Sequence, residues 1–325
     1  SSPSLGLFQS PTFTPTSRSR RSMPEDRCVE LNPFWEFVAR SAHESPTEPA
    51  LAIVGADGQE QPAVTFADLR KLGEAASSHL HSLGASPGCI VFSAVTNTVA
   101  SVALCIGVAR CGATWAPADR ELNAEQVFRL LRLYEPRVSV LSGGRAEAAK
   151  SLLERLGLRD RTAVLSQEAW EERLLRGCAP PLPPEAFVEK AAPILMLLTS
   201  GTTGMPKSIV TSNARIRSVL DAPFFVQFSR VDGRKQQKLI YFGSPSWISF
   251  SAVSLKAWEQ RHMLVLGQRY AKAPYMDAVL RHEPGILFLW PEVLVDFVAL
   301  PEETLRRVAG FARTMLYGGA RTPPS

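Results

Sequence analysis

The chain is poor in several features that would announce a function outright. No stretch reaches the roughly 18 consecutive apolar residues of a membrane-spanning helix. The longest contender, Val99 to Ala109, is closed by Arg110 and Cys111, so no membrane span is expected. Cysteine is scarce: Cys28, Cys89, Cys105, Cys111 and Cys178 form no C-x-x-C pair and have no histidines at metal-ligand spacing. The expectation is reduced, buried or half-buried thiols in an intracellular protein, with no metal site built from them. The five histidines (His43, His79, His81, His262, His282) make no H-E-x-x-H and read as packing or surface residues. The net charge of +5 is modest, and the arginines are scattered without a basic, aromatic-studded stripe, which argues against a nucleic-acid partner. No internal repeat is visible. No acidic residue precedes Glu25. Residues 1–27 are rich in Ser, Pro, Thr and Arg without apolar periodicity, and a disordered tail is expected there. An organellar transit peptide and a natural start at Met23 are two further readings of this segment. The expected compartment is the cytoplasm, with the mitochondrion as the alternative.

What remains is an ordinary globular composition, 45% hydrophobic and 21% charged, over 325 residues. This length suits one large domain or two lobes. Phe66, Leu69, Leu72, Ala76, Leu80 and Leu83 recur at helical spacing after Thr65, an N-cap residue, and Gly84 stops the run. "CIVFSAV" from Cys89 reads as a buried strand, about Thr98 to Arg110 as a second helix, and "ATWAPA" as the next strand. Val127, Leu130, Leu131 and Tyr134 mark a third helix, followed by "RVSVLSG" as a strand. The repeated strand–helix–strand order predicts an α/β fold: two sublobes of mostly parallel sheets flanked by helices. A polar stretch from Lys150 to about Lys190, with "APPLPP" inside it, reads as the boundary. The expected segments are therefore a first sublobe over 28–178, a Pro-rich connector over 179–190 and a second sublobe over 191–325. Within the last, a helix from Asn213 to Leu220 and strands at "MLVLG" (Met263 to Gly267), "GILFLW" and "TMLYGGA" are expected.

One stretch carries chemistry. Ile194 to Leu198 is a continuous apolar run that delivers the chain into Thr199, Ser200, Gly201, Thr202, Thr203, Gly204, Met205, Pro206 and Lys207. Two glycines let backbone N–H groups converge on an anion, four hydroxyls can donate to phosphate oxygens, and Lys207 adds a positive charge. A Walker P-loop is excluded twice over. Its second glycine is Pro206, which has no N–H, and the β-branched "SIVTS" after Lys207 predicts a strand where that loop needs a helix. Ser200 stands in T-S-G rather than G-x-S-x-G, so it is not read as a hydrolase nucleophile.

"TSGTTGMPK" resembles the phosphate-loop signature of the adenylate-forming, AMP-binding superfamily of acyl-CoA synthetases, luciferases and peptide-synthetase adenylation domains. Other segments are similar in the same order: "VARCGATWAPAD", "YFGSPSWISFS", "GILFLWPEVL" and "MLYGGA". The resemblance covers about Asn32 to Ala320. It implies the large N-terminal domain of those enzymes, incomplete at its C-terminus. It also implies ATP-dependent conversion of a carboxylic acid to an acyl-adenylate, followed by thioester formation with CoA. The implied roles place phosphate contacts on Thr199, Ser200, Gly201, Thr202, Thr203, Gly204 and Lys207, with Lys207 catalytic. Gly318, Gly319 and Ala320 would border the nucleotide, and Trp247 the acyl pocket.

The match has departures. Ser208 replaces the usual glycine after the lysine, Asn213 stands for a common histidine, and Trp247–Ile248 for an aromatic–His pair. The magnesium ligand, the ribose ligand and the small C-terminal domain of the family would lie beyond Ser325. The chain is therefore expected to be inactive as it stands. A non-catalytic nucleotide-binding or regulatory module, and a gene-model fragment, are the competing expectations.

Overall fold

A computed structural model of the chain describes residues 29–155, 157, 160–176, 180–199, 207–222 and 236–318. The strands are β1 (Val29–Leu31), β2 (Pro49–Val54), β3 (Val64–Thr65), β4 (Ile90–Ala94), β5 (Thr114–Pro117), β6 (Val138–Leu141), β7 (Ala163–Ser166), β8 (Phe187–Glu189), β9 (Pro193–Thr199), β10 (Lys207–Ser212), β11 (Lys238–Tyr241), β12 (Met263–Gly267), β13 (Ile286–Leu289) and β14 (Thr314–Tyr317). They form two six-stranded sheets, ordered β10-β9-β5-β4-β6-β7 and β14-β13-β11-β12-β2-β3, and a small β1-β8 pair. Each large sheet is parallel except for one antiparallel edge pair, β10 on β9 and β3 on β2. The α/β class with mostly parallel sheets is thus as the sequence rhythm predicts.

Alternation along the strands separates three cores. Leu51 and Ile53 of β2, Val138 and Val140 of β6, and Leu264 and Leu266 of β12 face one large cluster. Their neighbours Ala52, Val54 and Val265 face a second cluster, and Phe92 and Ala94 of β4 a third. A strand buried on both faces has no polar side to show, which is why these segments read as continuous apolar runs. Helix Val99–Arg110 packs on β5 of one sheet and β2 of the other, and so lies between them in the large core. Thr98 and Ser101 close its N-terminus as a reciprocal capping box. Its neighbour Phe66–Ser82 starts where expected, with Thr65 Oγ1 accepting from the Asp68 N–H at 3.2 Å. The two helices touch backbone to backbone at Gly107, where a Cβ would stand 2.6 Å from Ala76 Cβ and 2.8 Å from the Ser77 nitrogen.

The strands do not sort by the expected segments. β2 and β3, from the first of them, complete the second sheet, while β9 and β10, from the last, complete the first. The polar stretch read as a boundary holds helix Gln167–Leu175 and strand β7, which pairs parallel to β6. β7 escapes the pattern because it is a four-residue, half-exposed edge strand with no room for alternation. Beyond the Pro-rich run, Phe187–Glu189 returns to pair with β1. Residues 1–27, the expected tail, lie outside the described residues, as do Cys28 and Cys178. Cys89, Cys105 and Cys111 are free and half-buried or buried, and burial pushes the Cys111 thiol up to about 12. Among the described residues no helix is long and apolar enough to cross a membrane.

One histidine ties stability to pH. His262 is buried in the turn before β12, and its Nδ1 accepts the Gln237 N–H at 3.1 Å. Burial, and then the Arg261 charge, lower its pKa from 6.5 to about 4. Above 6.5 both folded and unfolded forms are neutral. As pH falls from there towards 4 the unfolded chain takes the proton first, so stability is lost across that window. The expected cost is about 3 kcal/mol from this group. Denaturant titrations at pH 7 and pH 4 check it: His262→Asn should show a smaller loss than wild type, and equal losses would contradict the assignment.

Candidate functional site

The predicted phosphate loop sits on an edge hairpin. β9 and β10 pair antiparallel, starting with Lys207 opposite Thr199 and Ser208 opposite Leu198. β9 also runs parallel to β5, with Trp115 opposite Leu195, so Thr199 emerges at the same sheet end as the residues that follow β4 and β5. A strand, not a helix, follows Lys207, and helix Asn213–Leu220 begins only after it. The strand expected after Lys207 is therefore present, and it excludes the helix that a Walker loop needs there. Of the predicted loop, Ser200, Gly201, Thr202, Thr203 and Gly204 lie outside the described residues, and Thr199 and Lys207 are placed by their backbones alone.

Next to this sheet end lies a cleft of about 150 Å³. Its lining shows a pattern. Val95 and Asn97 follow β4, Asp119 and Arg120 follow β5, and Phe242 to Pro245 follow β11. Gln268 to Tyr270 follow β12, and Trp290 follows β13. The cleft thus stands outside the carboxyl ends of the parallel strands of both sheets, which is where open α/β sheets bind ligands. The loop after each strand is free to vary while the strand holds its first residue in place.

Asn97 joins the two sheet ends. It is 2% exposed, and its Nδ2 donates to the Gly243 carbonyl at 3.1 Å and the Gly267 carbonyl at 2.8 Å. Both acceptors are glycines for a steric reason. A Cβ on Gly267 would fall inside contact distance of the Phe242 ring, and one on Gly243 would meet the Tyr241 ring at 2.5 Å. Asn97 thereby ties the ends of β11 and β12 to the end of β4.

The rest of the wall is aromatic. Trp290 meets Trp247 edge-on with centroids 6.0 Å apart, and Tyr270 at 5.3 Å. Trp247 is 41% exposed and is the N-cap residue of helix Ile248–Glu259, so an indole face remains open to the cleft. Tyr270 donates its hydroxyl to Asp296 Oδ2 at 2.6 Å. Burial and the Asp296 carboxylate hold this phenol above its usual range, and the phenol's hydrogen bond draws Asp296 below its own. Arg120 pairs with Glu121 at 3.1 Å on the rim, where Asp119 and Glu292 also stand. Such a site offers stacking surface, aligned backbone groups and both charge signs.

Of the residues expected from the sequence, Trp247 lines the cleft. Gly318 follows β14, and its N–H donates to the Leu289 carbonyl at 3.2 Å, beside the strand end that carries Trp290. Gly319 and Ala320 lie outside the described residues. Asn97, Tyr270, Arg269 and Trp290 are absent from the sequence expectation. The signal that finds them is position: each falls within three residues of the end of a predicted strand. Among the described residues no group of three or more His, Cys, Asp or Glu could hold a metal ion.

Comparison with known proteins places this geometry. The sequence model described as AMP-binding enzyme matches residues 38–325. The chain is 24% identical over 307 residues to 4-coumarate–CoA ligase 3 of Oryza sativa subsp. japonica, covering 91% of this chain and 53% of the ligase. It is 26% identical over 211 residues to acetyl-coenzyme A synthetase 2 of Kluyveromyces lactis, covering 57% of this chain and 30% of that enzyme. The chain therefore spans about half the length of the first of these relatives and less of the second. Among solved structures, it resembles the N-terminal domain of FACL13 from Mycobacterium tuberculosis with a TM-score of 0.74 at 20% identity, over 90% of this chain and 71% of that one. It resembles ATP-bound MatB from Rhodopseudomonas palustris with a TM-score of 0.73 at 17% identity, over 89% and 55%. At these identities the structures establish a shared fold, that of the N-terminal domain of FACL13.

Proposed function

The chain belongs to the AMP-binding enzyme family, and from that premise we propose that it carries the ATP-phosphate grip and acid pocket of an acyl-CoA synthetase. The reaction would join a carboxylate to the α-phosphorus of ATP, release pyrophosphate, and pass the acyl group from the adenylate to the thiol of CoA. The observation that carries this reading is the shared orientation of the two halves of the site. The end of β9 at Thr199, the start of β10 at Lys207 and the aromatic cleft lie at the same end of the first sheet.

Negative charge builds on pyrophosphate as the carboxylate attacks. Backbone N–H groups and hydroxyls of residues 199–204 and the Lys207 ammonium would stabilise that charge, as donors aimed at a developing anion do. Trp247 and Trp290 would seat the acid's apolar part and keep water from the carboxylate. Magnesium would enter with the ATP phosphates, keeping several of its waters. The described residues form no cage for it on their own, and no step here depends on one.

Acid-dependent exchange of labelled pyrophosphate into ATP by the complete protein tests the proposal. Exchange that appears with one carboxylic acid and vanishes without it supports adenylation. ATP binding with no exchange, across short, long and aromatic acids, would sink the enzymatic reading and leave a nucleotide-binding module.

A further inference from the structure

The edge strand that follows the loop lysine makes a side-chain contact with a buried tyrosine. The hydroxyls of Ser208 and Tyr134 stand 2.5 Å apart. Ser208 lies directly opposite Leu198, so both point to the same side of the hairpin, where Leu198 packs on the cluster that contains Tyr134. Tyr134 is a stiff support. It ends helix Ala124–Tyr134, is 7% exposed, and its ring centroid lies 6.2 Å from that of Phe92 on the central strand β4. The next two residues of the edge strand, Ile209 and Val210, are 51% and 54% exposed and give the strand little packing. Where the family resemblance leads one to expect a glycine, with no hydroxyl to offer, this chain has a serine that reaches a buried tyrosine.

We propose that Tyr134 is a positioning residue: through Ser208 it holds the start of β10, next to Lys207, in register with the sheet end. The inference rests on the reading of residues 199–207 as a phosphate loop. A loop that must aim many donors at one polyphosphate loses affinity when its base wanders. A hydroxyl on a buried ring limits that wandering at the residue next to Lys207. The contact is local, so its loss should be felt by the β- and γ-phosphates and not by the nucleoside.

The test compares ATP and AMP binding by calorimetry, using the complete protein and its Tyr134→Phe, Ser208→Ala and double variants. Amide hydrogen exchange of residues 207–210 is followed in parallel. Each single variant is expected to weaken ATP by about 3- to 10-fold, the worth of one hydrogen bond, to leave AMP affinity unchanged and to speed local amide exchange. The double variant should be no worse than either single one, because both remove the same bond. Equal weakening of ATP and AMP, unchanged ATP affinity, unchanged amide exchange, or additive effects in the double variant would each overturn the positioning role. A wild-type protein that binds AMP as tightly as ATP would instead overturn the phosphate-loop reading beneath it.

Discussion

Asn97→Ala should lower the unfolding free energy by about 2–5 kcal/mol, because it leaves two buried carbonyls without a donor. Those carbonyls belong to Gly243 and Gly267, at the ends of two strands of one sheet, while Asn97 stands three residues after β4 of the other. The loss is larger than for an ordinary surface amide because Asn97 is 2% exposed and both glycines are buried. Asn97→Asp keeps the shape but replaces the donating NH₂ with an oxygen facing two oxygens, so it should cost at least as much. Urea unfolding followed by fluorescence checks both variants. A fall in midpoint with unchanged slope is the expected form, since the folded and unfolded surfaces stay the same. A midpoint that does not move would show that Asn97 does not tie the sheets together.

Lys207→Ala should slow acid-dependent ATP–pyrophosphate exchange by about 10²- to 10³-fold, the usual effect of removing one preorganised charge-stabilising donor. Lys207 is the first residue of β10 and pairs across the hairpin with Thr199, so its backbone is held at the loop's exit whatever its side chain does. The variant should therefore fold normally, and the loss should appear in the rate rather than in the affinity for the acid. Lys207→Arg keeps the charge on a longer, planar group and should recover only part of the rate. An alanine variant within about threefold of wild type would remove Lys207 from the phosphate machinery, because so small a change is worth less than one hydrogen bond.

The two predictions draw on different information. Lys207 is singled out by the sequence, because phosphate chemistry needs glycines, hydroxyls and a cation close together and nine consecutive residues supply them, and its role is a proposal that the exchange assay tests. The elements around it were legible for the same kind of reason. The helix Asn213–Leu220 and the strand Met263–Gly267 stand at the expected bounds, since apolar runs and caps are local signals. Trp247 was legible as a member of a pocket segment, and the structure places it on the cleft wall. Asn97 was not legible. An asparagine before a helix reads as a capping residue, and its actual partners lie 146 and 170 residues away. The Tyr134–Ser208 contact is likewise invisible, because Tyr134 already had a role as the apolar end of a helix stripe.

The sequence by itself determined the α/β class, several of the strands and helices, and the two strands that flank residues 200–206. These depend on residue periodicity and side-chain chemistry within a few turns of chain. Only the tertiary structure decided which strands share a sheet. It carried β2 and β3 across to the second sheet and β9 and β10 back to the first, and brought the carboxyl ends of both sheets to one cleft. Strand pairing is a competition among similar apolar runs distant in sequence, settled by helix packing such as the close approach at Gly107. No local pattern records the outcome of that competition.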